Sequence, residues 1–134
     1  MTAPACLKRV LCVEDDPDIQ IILQFTFEND QVAVAICDDG RAAVAQATEF
    51  KPDLILMDVM MPKMDGPTTF RTLRENAATA NIPVIFMTAK IQSQDVQNYQ
   101  SMGVLDVIAK PFDPATLVAE LGRICEKYHG KPPE

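Results

Sequence analysis

The 134-residue chain is 48% hydrophobic and 23% charged with a mean hydropathy near zero, the composition of one ordinary globular domain built around a single core. Its formal net charge of −7 opposes nucleic acid or an anionic membrane surface as partners, since both require a positive field. No apolar run approaches membrane-spanning length, and Met1-Thr2-Ala3-Pro4-Ala5 lacks the basic start and long apolar stretch of a signal peptide, so a cytoplasmic location is expected.

The first strand is Val10-Leu11-Cys12-Val13, which runs into Glu14-Asp15-Asp16. Asp16 suits the cap of a helix with Pro17 in its first turn; Ile19, Ile22, Leu23 and Thr26 recur on one face, and the helix ends near Asn29-Asp30. Gln31 to Ile36 alternates as a second strand, and Gly40 to Phe50, rich in alanine, reads as a second helix. Pro52 precedes the third strand, Leu54-Ile55-Leu56-Met57, which delivers Asp58 into the turn Val59-Met60-Met61-Pro62-Lys63-Met64-Asp65-Gly66. Gly66-Pro67 opens a third helix through about Asn76 with Phe70 and Leu73 facing inward, and Ile82 to Met87 forms the fourth strand, running into Thr88-Ala89. The next segment, Ile91 to Met102, carries only Val96, Tyr99 and Met102 as periodic apolar residues, so its helix is expected to be weakly held. Gly103 ends that helix, a fifth strand spans about Leu105 to Ala109 before Lys110-Pro111, and Asp113-Pro114 begins a last helix with Leu117, Val118, Leu121, Ile124 and Cys125 inward.

Five strands alternating with five helices imply a parallel sheet covered on both faces, because each right-handed crossover returns the chain beside its predecessor. One unit is expected over residues 1–134, with its core at about 6–128. Acids, a hydroxyl and a lysine end separate buried strands, at the edge where a doubly wound α/β protein places its chemistry. Together they are the groups needed to bind a divalent cation and to hold a phosphoryl group on an aspartate.

Glu14-Asp15-Asp16-Pro17, Asp58-x-x-Met61-Pro62-x-Met64-Asp65-Gly66, Thr88-Ala89 and Lys110-Pro111-Phe112, in that order and each at a strand end, resemble the receiver domain of two-component response regulators. The resemblance implies a flavodoxin-like, five-stranded sheet of order 2-1-3-4-5, an order for which a member of this group is a standard illustration. It further implies that Asp58 is the phosphoacceptor, taking a phosphoryl group from a histidine kinase or phosphotransfer protein. Mg²⁺ is then held by Glu14, Asp15, Asp58 and the Met60 carbonyl, hard oxygen donors that suit that ion. Lys110 supplies a point charge and Thr88 a hydroxyl to the phosphoryl oxygens. The Lys110-Pro111 bond is cis in receivers, and the output is a changed face formed by the fourth helix, fifth strand and fifth helix, read by a downstream protein. Asp16 serves equally as helix cap or as a further acid of the site.

This sequence departs from the receiver pattern at Val107, where many receivers carry a tyrosine or phenylalanine that swings inward on phosphorylation. Met60 and Lys90 occupy the positions whose side chains flank the path of an attacking water. A phosphatase of the haloacid-dehalogenase type would need an Asp-x-Asp pair after the first strand, with the second acid as proton donor; Asp58-Val59-Met60 offers none. A self-acting signalling phosphoacceptor is therefore expected, not an enzyme with an external substrate. The tail after Tyr128 is too short for an output domain, which favours a stand-alone receiver over one joined to a further module. The four cysteines contain no Cys-x-x-Cys pair and read as reduced thiols, while His129, the only histidine, cannot make a zinc cluster alone.

Overall fold

The computed structural model describes residues 6–61, 64–89 and 91–129. In chain order the elements are β1 (Arg9–Val13), α1 (Pro17–Asn29), β2 (Ala33–Cys37), α2 (Gly40–Phe50), β3 (Leu54–Asp58), α3 (Gly66–Glu75), β4 (Val84–Thr88), α4 (Ser93–Met102), β5 (Asp106–Ala109) and α5 (Leu117–His129). All strand pairs are parallel, and the sheet order is β2-β1-β3-β4-β5, the flavodoxin-like arrangement expected from the sequence. β3 and β4 are buried at every position, which is why they read as unbroken apolar runs instead of alternating ones.

The sheet divides the interior into two clusters. Val10, Cys12, Leu54, Leu56, Ile85 and Met87 face α1 and α5, meeting Leu23 and Phe27 of the first and Leu117 and Leu121 of the second. Leu11, Val13, Ile55, Met57, Val84 and Phe86 face the other way, toward Ala43 and Ala47 of α2 and Phe70 and Leu73 of α3. The buried methionines Met57, Met61 and Met87 belong to these clusters as packing groups.

Three expectations are refined. Ile22 is 43% exposed, and the inward face of α1 is Leu23, Thr26 and Phe27 with Ile19 half-buried against the core. Residues 19, 23, 26 and 27 form one stripe, whereas position 22 lies about 100° from its neighbour 23 around the helix. α5 begins at Leu117, not at Pro114. Asp113 instead organises a preceding turn: its side chain accepts from Ala115 N at 2.9 Å, and its carbonyl accepts from Thr116 N and Leu117 N. α4 begins at Ser93, two residues later than Ile91. It has no fully buried side chain and no side-chain cap at Gln92, so its expected weak hold agrees with the structure.

Candidate functional site

Parallel pairing brings the strand ends to one rim. Val13 is paired with Met57, so Glu14 and Asp58, each next in its chain, leave the sheet side by side. Asp58 is paired with Met87 and Thr88 with Ala109, which brings Thr88 and then Lys110 to the same edge. From β1 the chain winds outward to β2, and from β3 it winds the other way to β4 and β5. The acids therefore sit at the crevice where the winding reverses.

Glu14 is fully buried and Asp58 is 4% exposed. Lys110 Nζ donates to Glu14 Oε1 at 2.9 Å and to Asp58 Oδ2 at 3.2 Å, bridging the two carboxylates. Glu14 Oε2 accepts from Asp16 N at 3.1 Å, and Asp58 Oδ1 accepts from Met60 N at 3.2 Å. Burial pushes the Glu14 carboxyl above its ordinary pKa; the hydrogen bonds of Lys110 and Asp16 oppose the shift, and the charge of Asp58 adds to it. Burial pulls the Lys110 ammonium down, yet the hydrogen bond and charge of Glu14 and the charge of Asp58 outweigh it, leaving its pKa raised. The Lys110–Pro111 peptide bond is cis, as the resemblance implies.

Oxygens of Glu14, Asp15 and Asp58 all lie within 4.8 Å of one another, the acid cluster of metal-holding size among the described residues. The donor set is wholly oxygen and carries three negative charges, with one ammonium already beside it. Such a set fits a hard divalent cation and offers nothing to a soft one. Asp16 stands outside that cluster. It is exposed, and its Oδ1 caps α1 by accepting from Asp18 N at 2.9 Å, so the structure gives it the capping role.

Asp58 and Val59 pack their backbone directly against the start of α3. Gly66 N donates to Val59 O at 3.0 Å, and a Cβ on Gly66 would stand 3.0 Å from both Asp58 O and Val59 Cα. Those are backbone atoms that cannot swing aside, so the start of α3 approaches the Asp58 peptide only because residue 66 is glycine. Asp65 caps the same helix by accepting from Thr68 N at 2.9 Å, a bond that lowers its own pKa. Gln20, absent from the residues expected at the site, donates its Nε2 to Glu14 O at 2.6 Å and ties the acidic turn to α1. Its one sequence signal is its place one helical turn after the Asp16 cap.

Thr88 is 6% exposed at the rim, while the Met60 side chain is 74% exposed at its mouth. Val107 is half-buried opposite Phe86 of β4. Pro62, Lys63 and Lys90 lie outside the described residues, as do Met1–Ala5 and Gly130–Glu134.

Several known proteins are similar to this chain in sequence or in fold. The transcriptional regulator RpaA of Synechocystis, described as a DNA-binding dual master regulator, is 38% identical over 116 residues, which are 86% of this chain and 48% of that protein. The Vibrio cholerae chemotaxis protein CheY4 superposes with a TM-score of 0.82 at 29% identity, covering 88% of this chain and 98% of its own. The receiver domain of a Pseudomonas aeruginosa sensor histidine kinase, solved with a magnesium ion coordinated in its active-site cleft, gives a TM-score of 0.76 at 32% identity over 92% of this chain and 98% of its own. The chain spans about half the length of the curated relatives it matches. Residues 10–122 match the response regulator receiver domain, from β1 into the first turns of α5 and with every strand-end group inside that span, so the chain belongs to the receiver domain family of two-component response regulators.

Proposed function

We propose that Asp58 is the phosphoacceptor of this receiver and that Glu14, Asp15, Asp58 and the Met60 carbonyl hold Mg²⁺ beside it. The observation that carries this reading is the Lys110 ammonium bridging Glu14 and Asp58 at 2.9 and 3.2 Å. It supports the assignment because a fixed cation beside one carboxylate oxygen is what an incoming phosphoryl group, itself anionic, requires. When bound, Mg²⁺ supplies charge neutralisation to the acids and the phosphoryl oxygens.

An oxygen of Asp58 attacks the phosphorus of a phosphohistidine on a histidine kinase or phosphotransfer protein. The P–O bond forms as the P–N bond breaks, and the imidazole leaves with the electron pair. Lys110 then turns its Nζ from Asp58 to a phosphoryl oxygen, and the Thr88 hydroxyl donates to another. Glu14 stays anchored by Asp16 N and holds Lys110 in place. Water later returns the carboxylate, and no external phosphomonoester is turned over. The downstream target is a protein that reads the face made by α4, β5 and α5 in the cytoplasm. The net charge of −7 gives this chain no field for nucleic acid, although relatives are DNA-binding as whole proteins. Their extra length leaves room for that activity outside the matched segment.

Labelling with a small phosphodonor such as acetyl phosphate tests the assignment. Incorporation is expected with Mg²⁺, to fall by at least tenfold on chelation, and to vanish in Asp58→Asn. Labelling of that variant at the wild-type level would overturn the choice of Asp58.

A further inference from the structure

Cys6 and Cys125 are 119 residues apart in sequence but meet at the end of the molecule opposite the acidic rim. Leu7, 1% exposed, is embedded in the cluster that contains Leu117 and Leu121, so the chain just before β1 is pinned beside α5. Cys125, in the last turns of α5, donates its thiol to the Cys6 carbonyl at 3.1 Å. The Cys6 side chain is also near enough to act on the Cys125 thiol. The other two cysteines are sealed in the core: Cys12 is fully buried and Cys37 1% exposed, on clusters lying on opposite faces of the sheet.

We propose that Cys6 and Cys125 are a disulfide-forming pair that, under oxidation by a small-molecule disulfide, staples the start of β1 to the end of α5. The two thiols differ in access, which sets the order of events. Cys6 is half-exposed, whereas Cys125 is 2% exposed, and burial followed by the Cys6 contact pushes its thiol up to about 12. Cys6 therefore reacts first. It gives up its proton to solvent, and its thiolate attacks one sulfur of the small disulfide, forming a mixed disulfide and releasing one small thiol. The Cys125 sulfur then attacks the Cys6 sulfur and displaces the second small thiol, its proton passing to that leaving group. Two protein thiols are oxidised and one small disulfide is reduced to two thiols. No other redox partner is needed.

The bridge would enclose nearly the whole chain, from residue 6 to residue 125. Closing so long a loop removes much of the unfolded chain's freedom, so the folded state gains while the acidic rim, at the other end of the strands, is left as it was. The staple also fixes the C-terminal turns of α5 beside the start of β1, where the Cys125 thiol already donates to the Cys6 carbonyl.

The test is to incubate the purified protein with excess oxidised glutathione, quench with N-ethylmaleimide and measure intact mass and tryptic peptides. The expected product has lost about 2 Da, carries no glutathione, and yields residues 1–8 cross-linked to residues 124–127. Its melting temperature rises by roughly 5 °C or more and returns on treatment with dithiothreitol. Cys125→Ser should instead stop at the mixed disulfide, with one glutathione retained on Cys6. A glutathione adduct that persists on Cys6 in the wild type, a Cys6–Cys6 dimer as the main product, or a bridge that leaves the melting temperature unchanged would each overturn the proposal.

Discussion

Replacing Lys110 with Met should lower the melting temperature of the metal-free protein by an amount corresponding to about 2–4 kcal/mol, a large loss for one residue of a domain this size. Lys110 Nζ is the only cation bonded to either Glu14 or Asp58 among the described residues. Glu14 has no solvent exposure, so removal of the ammonium leaves Oε1 without a partner and without water. Methionine keeps most of the aliphatic stem, so the change reports charge and hydrogen bonding more than packing. Added Mg²⁺ should recover part of the loss, because a divalent cation can take over the neutralisation of the acids. Asp58→Asn should move the metal-free protein the opposite way, upward by on the order of 1 kcal/mol, because it relieves repulsion between like charges at the rim. It removes one of three crowded charges while keeping an oxygen for Met60 N to donate to. Thermal scans of both variants with and without Mg²⁺ check the pair. Shifts of the same sign would show that charge balance does not govern this rim. The wild-type scan has its own pH signature: with its pKa raised above 10.5, Lys110 contributes fully below that pH and loses its contribution only as pH rises through the folded value.

The rim was legible in the sequence because each of its groups lies at or just past the carboxyl end of a strand, and the buried strands β1, β3 and β4 are short apolar runs. Once Val10–Val13 and Leu54–Met57 are paired in register, the neighbouring positions of Glu14 and Asp58 are a geometric consequence. The face of α1 was less legible: three apolar residues in a row, Ile21, Ile22 and Leu23, cannot all point inward, and which one does depends on helix phase that only tertiary packing sets. The start of α5 was placed three residues early because Asp113-Pro114 has the chemistry of both a helix start and an Asx turn, and here the turn leads into the helix. Contacts such as that of Cys125 with Cys6 had no sequence signal at all, since nothing local requires the two ends of the chain to meet. The tight approach of Gly66 to the Asp58 backbone shows the converse: the glycine was visible, but the reason for it was a neighbour across the loop.

Phosphorylation, or its beryllofluoride mimic with Mg²⁺, should change amide hydrogen exchange across the segment from Ala89 to Gly103 more than across Leu105 to Ala109. Val107 has no ring and little reach, so it cannot refill space beside Thr88 as an inward-swinging aromatic would. The aromatic group of this region stands instead on α4: the Tyr99 ring lies 5.0 Å from Phe86 of β4 at 80°, and Phe86 meets Phe70 of α3 edge-on at 6.1 Å. Tyr99 is only half-buried, as are Val96 and Met102, so α4 rests on the sheet through a few side chains and has no side-chain cap at its start. β5 is held differently, by a ladder pairing Asp106 to Ala109 with Ile85 to Thr88. When Thr88 is drawn toward a phosphoryl group, that ladder carries β5 along with β4. The loop to α4 takes up the strain, and the helix with the fewest buried contacts shifts first. Tyr99 also gives an optical readout, because the chain has no tryptophan and only two tyrosines. In a Tyr128→Phe background, intrinsic fluorescence should change on addition of beryllofluoride, and Asp58→Asn should abolish that change. Exchange differences confined to β5, with α4 and the Tyr99 signal silent, would show that Val107 itself serves as the switch.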